Sequence, residues 1–461
     1  MTRRRLLHSD FVCAVLLLSL VPLFVAPAAL GSPEARSGKA GSEDSSPIAL
    51  VGGKVFPVSG PPIEGGTVLI RNGKIEAVGK GIPVPPDARR IDASGLWVLP
   101  GLIDSRTHLG LWEVDLSDVT RDEDESSDPI TPQVRVIDAF YDESENIRVT
   151  RQTGVALALV APGDENLING QSALVDLSGD DLDRILVKFP VAMHFSLGEP
   201  PKARYGKRDQ APTTRMGSAA LIRIALTQAR DYQGKWQEHD RKVRECGQTK
   251  PSRGKGKKED KCPPDPPAKD LKLEALVPVL KGDLPAIFRA QRMDDITTAL
   301  RLADEFKLKL ILSHAAEAYK VADLLAAHKI PVLVGPITTQ PDQIETLGAI
   351  YENAELLVKA GVKLAIQTDR TNDARTLPWE AGLAVAYGLP WDEALRAVTL
   401  SPAEIFGLAD RVGSLEKGKD ADVLVTTGDP FQPLSQVKHL FIRGKEVSLR
   451  SRQDDLAAKY R

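Results

Sequence analysis

Pro100-Gly-Leu-Ile-Asp-Ser-Arg-Thr-His-Leu-Gly110 is the stretch on which the fold turns. The apolar run Leu96-Trp97-Val98-Leu99 leads into it, and Leu102-Ile103-Asp104 carries an extended chain to a polar end. On a strand, residues two apart project from one face, so Arg106 and His108 share a side. An apolar body with a charged C-terminal end is the pattern of a buried barrel stave that opens into a pocket.

Outward from this strand, short strands and helices alternate, as parallel βα units do. Strands are expected at Val98–Asp104, Val155–Val160, Ser172–Leu177, Val191–Leu197, Ala286–Gln291, Leu308–Ser313, Pro331–Gly335 and Val362–Thr368. Helices are expected at Asp294–Phe306, Ala316–Ala327, Ile344–Ala360 and Trp391–Leu400. The fold class is therefore α/β, a (β/α)8 TIM-type barrel.

The two ends of the chain read differently. Thr67–Arg71 and Lys74–Val78 flank Asn72-Gly73, a pair that supplies the two positive φ values of a type I′ hairpin turn. Strands of this kind return at Ala421–Thr426 and Lys438–Val447, with a turn at Arg443-Gly444. Neither end has strands enough to bury a sheet face alone. Residues 48–96 and 418–450 are thus expected to form one small composite β-sandwich around a barrel at 97–417, with 451–461 as a tail. Residues 235–269 lack apolar patterning and carry a basic run and two Pro-Pro pairs, which reads as an inserted, solvated loop. It holds Cys246 and Cys262, expected to form a disulfide if the chain is exported, with two free thiols as the alternative.

Export is what the N-terminus suggests. Arg3-Arg4-Arg5, the apolar run Phe11–Val25 and small residues from Ala26 form a signal peptide over 1–31, followed by a disordered leader over 32–47. The expected location is periplasmic or secreted, an uncleaved anchor being the alternative. Beyond that run nothing is apolar enough to span a bilayer. A net charge of −3 on 461 residues gives no argument for nucleic acid or an anionic membrane. The partner class is a small-molecule substrate, with homo-oligomerisation left open.

PGLIDSRTHLG resembles the first metal motif of the amidohydrolase superfamily, PG-apolar-x-D-x-H-x-H. Residues 48–447 are similar to an exported, imidazolonepropionase-like subgroup of it. The resemblance implies ligands at the strand ends for a divalent metal, zinc, and a bound water that attacks a carbonyl. It assigns His108, His194 (in VAMHFS, at the strand 4 lysine position), His314 (in SHA) and Asp369 (in QTD) to the metal, with Asp369 also the catalytic base. The chain departs from the pattern at Arg106, which stands for the first histidine, and at Gln291, which stands for the strand 5 histidine. Of seven histidines, His8 is in the signal, His239 in the insertion, His328 on a helix and His439 in the sandwich, so a binuclear set cannot be assembled.

Arginine stays protonated and does not ligate metals. A guanidinium ~4 Å from a dication, at an effective dielectric of ~20, is repelled by roughly 8 kcal/mol before screening. Two readings follow. One is a hydrolase of C–N bonds (in a non-peptide amide, cyclic amide or dipeptide) with an at most mononuclear site. The other is a non-catalytic barrel that binds a small anionic ligand or a protein partner, with Arg106 paired to Asp369. Arg215, in TTRMG, joins Arg106 and Gln291 as a substrate-binding candidate because a guanidinium offers a planar fork, a surface ion pair being its alternative. No nucleophile elbow, P-loop or dinucleotide fingerprint occurs in a suitable context.

Overall fold

The computed structural model describes residues 46–113, 117–179, 181–248, 262–339 and 343–461. The expected signal peptide and nearly all of the leader, with the basic run of the insertion, lie outside the described residues. Five strands come first: β1 (Ile48–Val55), β2 (Ile63–Arg71), β3 (Lys74–Gly79), β4 (Arg89–Asp92) and β5 (Trp97–Pro100). Ten follow: β6 (Leu102–Thr107), β7 (Val155–Val160), β8 (Ile168–Gln171), β9 (Ala173–Asp176), β10 (Leu186–Lys188), β11 (Met193–Ser196), β12 (Ala286–Ala290), β13 (Leu310–His314), β14 (Val332–Val334) and β15 (Leu364–Ile366). The last three are β16 (Val423–Thr426), β17 (Val437–Ile442) and β18 (Lys445–Glu446).

Strands from both ends make one sheet in the order β18-β17-β16-β5-β1-β2-β3, with β4 alongside β1. Its core is Leu50, Val68, Ile70, Val98, Val423 and Phe441, all buried. Asn72 and Gly73 take φ of 51° and 74°, and Arg443 and Gly444 take 49° and 74°, so both hairpins turn as their sequences predict. The expected boundary needs correction: β5 was assigned to the barrel, yet it pairs with β1 and, through Leu99 opposite Leu424, with β16. The barrel-like α/β region begins only after Gly101, where a Cβ would overlap the Ala156 side chain.

The middle strands form a barrel-like α/β arrangement in two sheets, β10-β9-β7-β6 and β15-β14-β13-β12-β11-β8. At one seam Thr107 bridges Asp369, with the Asp369 N–H donating to the Arg106 carbonyl at 2.9 Å. At the other, Ser172 exchanges backbone bonds of 3.1 and 2.9 Å with Ala192 and Val191. One expected stave runs the wrong way for a (β/α)8 barrel: β9 is antiparallel to β7, and β8 is antiparallel to β11. The cause is chain length, because only residues 161–167 separate β7 from β8. A parallel crossover needs a dozen or more.

Two helix expectations also change. The insertion is not a loop from 235 onward: one helix runs Arg215–Gln248, its outer half held by Arg241 to Glu238 and Glu245 at 2.7 and 2.6 Å. These are the i,i+3 and i,i+4 spacings that support a solvated helix. Cys246 at its end is bonded to Cys262, with Cα atoms 5.7 Å apart. The expected helix over 344–360 shrinks to Asn353–Lys359, because the 3-10 turn Ile344–Thr346 holds buried Glu345 against Arg289 instead.

Candidate active site

The C-terminal ends of β6, β12, β13 and β15 converge with the loop after β7 on a cavity of about 650 Å³. Asp104 sets the register of β6. It is fully buried and accepts from Thr368 N–H at 3.2 Å, from the Thr368 hydroxyl and from Arg106 N–H at 3.2 Å, which ties β6 to the segment after β15. Burial pushes its carboxyl up to about 7. Two residues on, the Arg106 side chain turns inward and is 1% exposed.

The Arg106 guanidinium lies between two carboxylates. Nη2 donates to Asp164 Oδ1 at 2.9 Å and to the Pro162 carbonyl at 3.2 Å, while Nη1 lies against Asp369 Oδ1. Asp164 also accepts from Ser196 Oγ at 3.0 Å. Burial alone would raise the Asp164 carboxyl, but Arg106 and Arg289 bring it well below the usual range. Arg289, on β12, reaches Glu345 at 2.5 Å and Asp164 at 3.5 Å. The floor thus sets two guanidinium groups against three carboxylates.

The histidines complete the centre as neutral rings. Burial, then Arg106, pushes His108 down to about 4 and His194 and His314 well below their usual value. Hydrogen bonds settle two tautomers. His108 Nδ1 faces the Ala161 carbonyl at 2.8 Å, an acceptor only, so Nδ1 carries the proton. Ser313 Oγ donates to Gln367 Oε1 at 2.9 Å, which leaves Oγ to accept from His314 Nδ1 at 2.9 Å. Both Nε2 atoms therefore present lone pairs to Asp369 Oδ1, at 3.7 and 3.2 Å. His194 Nε2 is buried with no hydrogen-bond partner among the described residues.

This donor set suits a metal, since outer hydrogen bonds of this kind orient ligating histidines. Among the described residues, Asp164, His314 and Asp369 offer ligand atoms within 4.8 Å of one another. The cation between them is nevertheless Arg106. A divalent ion does not fit while the guanidinium is paired with Asp164 and Asp369.

The expected site residues fare unequally. His108, His314, Asp369, Arg106 and Gln291 reach the same centre, Gln291 with its Oε1 accepting from Ala316 N–H at 3.1 Å. His194 lies beneath them on β11, outside the mouth lining. Arg215 does not serve the mouth: its Nε is spent on both oxygens of buried Asp295, at 3.0 and 2.9 Å. The sequence reading missed Asp164 and Arg289. Arg289 is two residues before Gln291 and so shares its face, a signal that was available. Asp164 sits in the irregular Ala161-Pro162-Gly163-Asp164 loop, where only its place after a strand marks it.

The Amidohydrolase family description matches residues 291–447. An amidohydrolase, tasK, from Hapsidospora irregularis is 27% identical over 388 residues, which is 79% of this chain and 38% of that protein. An imidazolonepropionase of Thermoplasma volcanium is 31% identical over 126 residues, 25% of this chain and 31% of that protein. The chain therefore spans well under half the length of these curated relatives. The crystal structure of an amidohydrolase from Thermotoga maritima superposes with a TM-score of 0.80 at 35% identity, covering 87% of this chain and 100% of that one. Similar along the whole of that relative, the chain belongs to the amidohydrolase family.

Proposed function

We propose that this family member binds a small polar molecule at the barrel mouth, with Arg106 supplying the positive charge that a metal would otherwise bring. The observation that carries this reading is the Arg106 guanidinium between Asp164 and Asp369. Both carboxylates are compensated from within the chain, so neither is free to neutralise an ion. A carboxylate engaged by arginine is also a poor proton acceptor, which counts against Asp369 as a base. Export belongs to the same proposal, supported by the N-terminal pattern and the bond between Cys246 and Cys262.

A second reading has its own support in the two inward-facing Nε2 lone pairs. It is hydrolysis of a C–N bond in an amide, cyclic amide or dipeptide, as the relatives' names imply, with His108, His194, His314 and Asp369 holding one divalent ion, zinc. It requires Arg106 to swing out of the centre. Metal analysis of the native protein and calorimetric zinc titration separate the two. The parent should hold far less than one equivalent, Arg106→His should bind zinc at least about tenfold more tightly, and Arg106→His with Gln291→His more tightly again. One tightly held equivalent in the parent would sink the first reading.

A further inference from the structure

We propose that the ligand is a small carboxylate with an apolar arm, the acid held by Arg370 and the arm seated in a side cavity walled by Ile337, Leu347 and Ile350. This rests on the reading that Arg106 stands in the place of a metal between Asp164 and Asp369, and it names what the remaining surface would take.

The charge inventory singles out Arg370. Of the arginines lining the mouth, Arg289 is bound to Glu345 and Asp164, and Arg121 is bound to Glu123 at 2.9 Å while stacking over Trp112 at 4.2 Å. Beneath them Arg106 is bound to Asp164 and Asp369. Arg370 is exposed at the rim, and its side chain has no partner among the described residues. A guanidinium without a side-chain partner beside a cavity offers a two-pronged donor to a carboxylate. Asp373 on the same loop, with Asp124 and Glu165, also lines the mouth, so the sign that the rim reads is open to direct test.

The arm follows from a second cavity of about 260 Å³. It shares Gln291, His314, Pro336, Thr339 and Thr346 with the mouth, and so opens from it. Its remaining wall is largely apolar: Val334, Ile337, Leu347, Ile350 and Tyr351. Leu347 and Ile350 are 67% and 37% exposed, and Tyr351 is held as a wall by stacking on Tyr387 at 4.5 Å. Large apolar side chains left in water around a cavity gain by a ligand that covers them. An apolar cavity of roughly 150 Å³ accepts benzene, so this one takes a leucyl or phenyl group.

The test is a calorimetric series on the full chain: N-acetylglycine, N-acetylleucine, N-acetylphenylalanine and N-acetylphenylalaninamide. The leucine and phenylalanine acids should bind roughly tenfold to a hundredfold more tightly than the glycine acid, the gain expected from taking such a side chain out of water. The carboxamide should bind more weakly than its acid, and Arg370→Ala should bring the two together. Ile350→Asp or Ala349→Trp, both at exposed positions, should collapse the leucine-to-glycine ratio towards one. Equal affinity along the series, an amide as tight as its acid, or no binding at all would overturn the ligand class and leave the arginine-centred floor standing. Stoichiometric native zinc would instead overturn the floor, with the series still reading the ligand class.

Discussion

Two regions of the molecule bury charge, and they neutralise it differently. In the mouth, Asp164, Asp369 and Glu345 each lie against a guanidinium that is itself almost wholly enclosed. At the seam between barrel and sheet, Asp176, Asp420 and Asp422 gather near Arg443, Arg411 and Lys74, whose side chains are 37–49% exposed. Among the described residues buried Asp422 receives only the Arg443 backbone N–H at 2.8 Å, and burial, with Asp420 and Asp176 nearby, pushes its carboxyl up to about 7. At the mouth burial would raise the Asp164 carboxyl but Arg106 holds it well below its usual range, while Asp124 on the same lining is pushed up to about 7. The seam tolerates a carboxyl that burial drives towards neutrality.

The strongest way to break this comparison is to remove the central cation. Arg106→Ala leaves the largely enclosed Asp164 and Asp369 without their common buried partner, and breaking such an ion pair by removing one member costs about 3–5 kcal/mol. Denaturant unfolding measures it. Added zinc should recover part of the loss, because the inward Nε2 atoms of His108 and His314 remain. A loss under about 1 kcal/mol would mean that water reaches the carboxylates and that the centre is not built around this arginine.

The two regions also differ in how far the sequence reveals them. The sheet domain was legible because its signals are local: Asn72-Gly73 sets one hairpin and Arg443-Gly444 another, each next to the strands it joins. Strand positions in the barrel were legible for the same reason, since each is an apolar run. The direction of β8 and β9 was missed because an apolar run carries no polarity, and the seven-residue link 161–167 had to be weighed instead. The helix through 235–248 was missed because charge spacing, not apolar periodicity, supports it. In the mouth, Arg106, His108, His314 and Asp369 came from a motif and its resemblance. Asp164, Arg289 and Glu345 belong to no motif, and only folding brings them to Arg106.

A smaller effect sharpens the seam half of the comparison through pH. The Asp422 carboxyl has a folded pKa of about 7 against an ordinary value of 3.8. Between these values the folded chain keeps a proton that the unfolded chain has lost, so this group lowers stability as pH rises from about 4 to 7, and the penalty is complete above that. Asp422→Asn keeps an oxygen to accept from Arg443 N–H and removes the charge. Melting temperatures at pH 5 and pH 8 should show the variant gaining on the parent at both, with the gain at pH 5 well under half of that at pH 8. An equal shift at both would mean that Asp422 is ionised throughout and that the seam resembles the mouth after all.

The smallest effect comes from repeating the arginine deletion at the seam. Arg443 Nε meets Asp176 Oδ2 at 2.9 Å, a pair as close as Arg106 with Asp164, and the Asp176 side chain is 2% exposed against 15% for Asp164. The difference is the arginine, whose side chain is 37% exposed against 1% for Arg106. A half-exposed guanidinium is screened by water, and its removal lets water approach the oxygen it leaves. Asp176 also keeps the Ser178 N–H on Oδ1 at 3.0 Å. Arg443→Gln should therefore cost about 1 kcal/mol or less, several-fold under Arg106→Ala. The same denaturant titration reads both variants side by side. Equal losses would show that enclosure of the cation does not decide what a buried carboxylate requires, and the distinction between mouth and seam would then rest on Asp422 alone.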